Sequence, residues 1–108
     1  MRTIPLWEIA TFRAGYGFPK KYQGLQEGDY PFAKVGDIST VARRGEQYIF
    51  SARNYINEET LPLIRAKPLP AGTIVFAKIG EAIRQNFRAI TGSPMLIDNN
   101  AMGMIPSQ

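Results

Sequence analysis

Cysteine and histidine are both missing from the 108 residues, and their absence removes much of the available metal and nucleophile chemistry. Without cysteine there is neither a disulfide staple nor a thiolate. Without histidine a zinc site would have to be built from carboxylates alone, so structural zinc is discarded. A hydrolytic serine would need a lysine base, and Ser39, Ser51 and Ser93 stand in no Ser-x-x-Lys arrangement, so they read as turn residues. Long apolar runs are missing too: none approaches the roughly 18 residues of a membrane span. Met1-Arg2-Thr3-Ile4-Pro5 lacks the apolar stretch of a secretory leader, and the chain reads as soluble and cytoplasmic. No repeat or low-complexity tract is visible, and the length fits one domain over residues 1–108, or part of one.

Acidic residues are the scarcer charge. Thirteen Lys+Arg against nine Asp+Glu leave a net charge of +4, which favours a polyanionic partner. The cations group as Lys20/Lys21, Arg43/Arg44, Arg65/Lys67 and Lys78/Arg84/Arg88, each with turn residues close by. That distribution suggests loops presenting charge from a rigid scaffold.

Ten glycines and eight prolines punctuate the apolar runs rather than clustering, the mark of a turn-rich folded chain. Strand-forming composition predicts strands over Leu6–Arg13, Pro31–Ile38, Gln47–Phe50 and Thr73–Ile79, and shorter ones over Phe87–Thr91, Met95–Asp98 and Ala101–Ile105. Asn57-Glu58-Glu59-Thr60 has the polar cap and acidic first turn of a helix, kept short by Pro62 and Pro68. Strands outnumber helices without βαβ alternation, which predicts an α+β, mainly antiparallel, barrel-like domain with short helices. The sequence stops just after the last expected strand, without a closing helix, and reads as cut short at its C-terminus.

Catalytic readings find little support. Gly15-Tyr16-Gly17 is followed by Pro19-Lys20-Lys21 rather than by a helix start, so it reads as a permissive turn and not a cofactor loop. Phe76-Ala77-Lys78 carries phenylalanine where a metal-dependent nuclease would place an acid. Asn99-Asn100-Ala101-Met102 lacks the Pro-Pro-aromatic sequence of an amino-methyltransferase. No catalytic residue, metal ligand or cofactor is assigned to this chain.

Three polar stretches suit binding. In Phe18-Pro19-Lys20-Lys21-Tyr22-Gln23, enclosed by Gly15, Gly17 and Gly24, the lysines can meet phosphates while Tyr22 and Gln23 can donate to phosphate or base edges. A solvated lysine pair beside a structural tyrosine stands level with that reading. Arg43 and Arg44, in an expected loop from Ser39 to Gln47, can fork onto guanine or phosphate; the alternative is an exposed basic loop partly neutralised by Glu46. From Lys78 to Arg88 a polar connection gathers Glu81, Arg84, Gln85 and Asn86. The amides match adenine, and Glu81 can accept from cytosine. An ion pair of Glu81 with Arg84 is the plain alternative.

Four of these segments, Phe18 to Gly24, Tyr30 to Ile38, Gly72 to Arg84 and Ile97 to Gly103, together resemble the target-recognition domain of type I restriction–modification specificity subunits. The resemblance implies a non-catalytic reader of double-stranded DNA that recognises one half of a bipartite site. It also implies that methyltransferase and restriction subunits are the partners, and that S-adenosylmethionine, ATP and Mg²⁺ belong to those partners. Taken with the three polar stretches, the expected DNA contacts are Lys20, Lys21, Tyr22, Gln23, Arg43, Arg44, Lys78, Glu81, Arg84, Gln85, Asn86 and Arg88, whereas Asp37 and Asp98 are expected to make structural hydrogen bonds. Two rivals come from other classes. One is a truncated remnant that self-associates through an exposed sheet edge without binding DNA. The other is a single-strand binder stacking bases on Tyr16, Phe18 and Tyr22.

Overall fold

A computed structural model describes residues 10–78 and 87–106. Within them, eight strands form two open sheets rather than a closed barrel. The strands are β1 (Ala10–Ala14), β2 (Tyr30–Ala33), β3 (Tyr48–Ile49), β4 (Tyr55–Ile56), β5 (Ile74–Ala77), β6 (Arg88–Thr91), β7 (Leu96–Ile97) and β8 (Ala101–Pro106). The larger sheet has the order β1-β8-β5-β6-β3 and the smaller β4-β2-β7. Four of the pairings are antiparallel; β2–β7 and β3–β6 run parallel. The α+β, mainly antiparallel expectation holds.

The smaller sheet separates two apolar clusters, because its strands bury both faces. Phe32 pairs with Leu96, and Ala33 with Ile97. Phe32 and Leu96 point into a cluster with Ile56, Leu61 and Ala66. Ala33 and Ile97, one residue on, point the other way into the main core with Ile38, Ile49, Leu69, Val75, Ala89, Met95 and Ala101. Alternate side chains face opposite ways, so a strand covered on both sides reads as the unbroken apolar run Met95-Leu96-Ile97. Where β5 starts and β6 ends, Thr73 and Thr91 are buried as a hydrogen-bonded pair: the Thr73 N–H donates to Thr91 Oγ1 at 2.9 Å, and both hydroxyls donate to the Pro70 carbonyl, at 2.7 and 2.9 Å.

The structure corrects one expected strand. Pro31–Ile38 does not continue as a strand: β2 ends at Ala33, and a helix, α1, runs from Val35 to Arg43. Its start is fixed by Asp37, whose Oδ2 accepts the Lys34 N–H at 2.8 Å, as a third-residue acid does in a capping arrangement. Val35, Ile38 and Val41 recur every three residues and pack on the main core. Gly45, with φ +74°, stops the helix while its N–H donates to the Ala42 carbonyl. The expected helix near Asn57 is instead a 3₁₀ segment, Glu58–Leu63, with Pro62 inside it.

On its outer face the larger sheet carries an apolar row. Register places Phe12, Met104, Ile74, Ile90 and Tyr48 side by side across all five strands, with Phe12 44% and Tyr48 49% exposed. Met102, Phe76 and Arg88 form the next row. Val75 and Ala77 are buried, but Ile74 and Phe76 are only half-buried, and Ile79 lies outside the described residues.

Candidate nucleic-acid interface

Gly15 begins the lysine loop by passing directly over another strand connection. Its N–H donates to the Ala101 carbonyl at 3.0 Å, and a Cβ there would overlap the carbonyl of Asp98, so only glycine fits. Tyr16 follows with an N–H to the Ile97 carbonyl at 2.9 Å. Its hydroxyl accepts from Arg13 Nη2 at 2.9 Å and from the Lys67 N–H at 3.2 Å. Burial works to raise the Tyr16 pKa, but these two hydrogen bonds and the charges of Arg13 and Lys67 outweigh it, so the phenol sits below its usual 10.0.

Phe18 anchors the far side of the loop against the ring of Phe32. From Pro19 the chain makes a single 3₁₀ turn, Lys20–Tyr22, closed by the Tyr22 N–H to the Pro19 carbonyl and the Gln23 N–H to the Lys20 carbonyl, both at 3.0 Å. Lys20 and Lys21 are exposed on that turn, and Lys21 Nζ lies 5.1 Å from the centroid of the half-buried Tyr22 ring.

Gln23 faces inward. Its Nε2 donates to the Phe18 carbonyl and its Oε1 accepts from Lys34 Nζ, both at 2.8 Å, so the amide clamps the loop to the start of α1. Gly24, at φ +101°, turns the chain so that its N–H donates to Asn54 Oδ1 at 2.9 Å. Asn54 is buried, and its carbonyl accepts from the Phe32 N–H at 2.8 Å.

Beside Asn54, Arg53 meets Asp37. The Asp37 Oδ1 accepts both the Arg53 N–H at 3.1 Å and its Nε at 3.3 Å. The lysine loop, the start of α1 and the connection between β3 and β4 thus become one unit. A depression of about 240 Å³ lies among Lys34, Gly36, Asp37, Arg53 and Asn54. Through Asp37 and Arg53 it runs into a second, of about 340 Å³, that reaches Thr40, Ser51 and Arg44. The result is a groove with Lys34, Arg53 and Arg44 on its walls, and Gln23 connects the lysine turn to it through Lys34. Asp37 is buried and hydrogen-bonded, so its carboxylate anchors structure rather than meeting an anion. Burial raises the pKa of the nearby Asp98, against the Asn100 N–H and the charge of Lys34, with Asp37 adding to the rise.

Arg43 and Arg44 occupy the end of α1 and the residue after it, not the loop expected from Ser39. Cations suit that end because it carries the partial negative charge of unpaired carbonyls. The Arg43 guanidinium lies 5.1 Å from the centroid of Phe87, which places it beside the start of β6. Arg44 Nη1 is 4.0 Å from Glu46. Lys78 is exposed just after β5, its N–H bound to the Asn100 carbonyl at 2.8 Å. Arg88 opens β6 beside Phe76, on the outer face of the larger sheet. Glu81, Arg84, Gln85 and Asn86 lie outside the described residues.

The groove takes in Arg44 of the expected DNA contacts, and Gln23 ties the Lys20–Tyr22 turn to Lys34 on its wall. It also recruits Lys34 and Arg53, which sequence reasoning missed. Both are isolated cations, and a search for basic pairs passes over them. Among the described residues no three His, Cys, Asp or Glu side chains are grouped to hold a metal ion, and no helix is long and apolar enough to cross a membrane.

No protein-family model matches the sequence, and no curated protein matches it either. Solved structures do match in fold. The HsdS subunit from Thermoanaerobacter tengcongensis superposes with a TM-score of 0.66 at 13% identity, over 94% of this chain and 22% of that one. The S subunit of a type-I restriction-modification system from M. genitalium superposes with a TM-score of 0.61 at 19% identity, over 97% of this chain and again 22% of the other. The chain has the fold of part of these subunits and spans about a fifth of their length.

Proposed function

We propose that this chain is a DNA target-recognition domain of the kind found in type I restriction–modification specificity subunits. In this reading it engages one half of a bipartite duplex site. It catalyses nothing and binds no cofactor itself, and it acts in the cytoplasm beside methyltransferase and restriction subunits that carry the chemistry. The observation that supports the reading most is the fold likeness, which takes in 94–97% of the chain and two S subunits.

The groove adds physical sense to it. Lys20 and Lys21 supply exposed point charges for phosphates, while Lys34, Arg53 and Arg44 line a concave wall held in place by buried Asp37 and Asn54. Phosphate contacts give affinity and register, and fixed polar side chains give sequence discrimination. Lys78, Glu81, Arg84, Gln85, Asn86 and Arg88 are further DNA contacts in this proposal.

Selection from a random duplex library, with gel filtration of the same sample, tests the reading. The expected result is retention of duplex with a recurrent sequence, weakened by added salt. A sample that elutes as a dimer and retains no duplex would favour the self-associating module instead. Preference for single strands over duplex would favour the stacking reading of Tyr16, Phe18 and Tyr22.

A further inference from the structure

We propose that Arg53 reads a guanine: Asp37 and Gly36 seat its guanidinium so that the terminal fork faces out of the basic groove, able to donate to O6 and N7 of one guanine in duplex DNA. The inference rests on the DNA-recognition reading and adds to it a base and the residue that recognises it.

Arg53 is tied to Asp37 at two points. Its main-chain N–H and its Nε both donate to Asp37 Oδ1, at 3.1 and 3.3 Å. Its Nη2 rests against Gly36, 2.8 Å from where the Cβ of any larger residue would stand. The buttress is itself held, because Asp37 is buried and its other oxygen accepts the Lys34 N–H at the start of α1. Next along the chain, Asn54 is buried and bonded to Gly24. Yet the Arg53 side chain is 73% exposed, and among the described residues its Nη1 and Nη2 make no hydrogen bond. One edge of the guanidinium is anchored and the other is open.

The remaining described cations of the site are arranged differently. Lys34 is engaged by Gln23 and lies over Phe18, Arg43 lies over Phe87, and Arg44 is close to Glu46. Lys20 and Lys21 are point charges without a fork. A planar guanidinium matches the two acceptors on the major-groove edge of guanine. Holding it in place beforehand lowers the ordering cost of making that contact.

The test uses the 108-residue chain, selected against random duplexes and then titrated with the preferred duplex. Each guanine of that duplex is replaced in turn by 7-deazaguanine, which lacks the N7 acceptor. The wild-type chain is expected to lose about 10–100-fold in affinity at one position, and R53A is expected to be blind to that replacement. G36A keeps the charge but pushes the fork from its seat, so it should lose the same discrimination while its salt dependence stays that of wild type. G36A also keeps the test decisive if R53A fails to fold. A folded wild-type chain that retains no duplex overturns both this inference and the reading beneath it. Two results overturn the guanine assignment alone: duplex binding without sequence preference, or a preferred sequence left unchanged by R53A and G36A.

Discussion

The ring of Phe18 lies flat on that of Phe32, with centroids 3.9 Å apart and planes 6° apart. Phe32 is fully buried in the second apolar cluster, so the stack fastens an exposed lysine loop to the buried interior. Phe18 is only half-buried, and Phe18→Ala should cost about 2 kcal/mol, less than the loss expected of a fully buried ring. Urea denaturation measures the loss. Limited proteolysis should show cleavage after Lys20 or Lys21 accelerating in the variant.

Two glycines of that loop predict opposite outcomes. Gly15 passes against the Asp98 carbonyl, whereas a Cβ on Gly17 would meet nothing within 4 Å. Gly15→Ala should lower the melting temperature sharply, since backbone must move to admit the methyl. Gly17→Ala should stay within about 0.5 kcal/mol of wild type. Thermal unfolding of the pair separates a steric requirement from a merely permissive position.

Lys20 and Lys21 are exposed on one short turn and act as charges rather than as readers of sequence. Replacing both with alanine should weaken all duplexes alike and flatten the plot of log K against log salt by about 0.9 for each phosphate that is no longer neutralised. Binding titrations at several salt concentrations measure that slope. A slope equal to that of wild type would mean that other cations neutralise the phosphates.

Much of the sheet was legible because its strands are β-branched and bounded by turns. The runs Thr73–Ile79, Phe87–Thr91, Met95–Asp98 and Ala101–Ile105 each contain or overlap an observed strand, as does Leu6–Arg13, of which residues 6–9 lie outside the described ones. The helix α1 was not legible. Val35, Gly36, Ile38, Ser39, Thr40 and Val41 are weak helix formers in isolation, and what makes them helical is the Asp37 cap and the burial of Val35, Ile38 and Val41. Arg53 escaped for a related reason: its significance depends on Asp37, sixteen residues earlier, and no local pattern announces that pairing. Gln23 appeared in the sequence as a candidate reader, yet the fold turns its amide inward.

Phe76 and Phe32 provide a matched test of the two sheets. Phe32 is fully buried, and Phe32→Ala should cost about 3–5 kcal/mol. Phe76 stands half-buried on the outer face, where it lines a depression of about 340 Å³ with Ile74, Arg88 and Met104. Its alanine variant should lose roughly half as much as a buried ring does. Chemical denaturation of both variants measures the difference.

Tyr16 should titrate early. Its hydroxyl accepts from Arg13 and the Lys67 N–H, which hold its pKa below 10.0 despite burial. Ultraviolet titration should therefore show a phenolate component below pH 10 that disappears in Tyr16→Phe. A folded-state pKa below the unfolded one means that the unfolded chain binds more protons between the two values. Stability from this group thus rises with pH across that window, and is fully present above the unfolded value. The stability difference between wild type and Tyr16→Phe should widen as pH climbs toward 10.

β8 lies between β1 and β5 in the larger sheet, and it pairs with both along most of its length. Thr11 and Ile105 are direct neighbours although roughly ninety residues separate them in the chain, and so large a loop closure is the kind of pairing that slows folding. During synthesis, β1 must wait, unpaired on its β8 side, until almost all of these residues have been made. The β5–β6 hairpin can form earlier, while the central position of the larger sheet stays vacant. The arrival of Ala101–Pro106 thus joins the earliest described strand to the rest of the sheet.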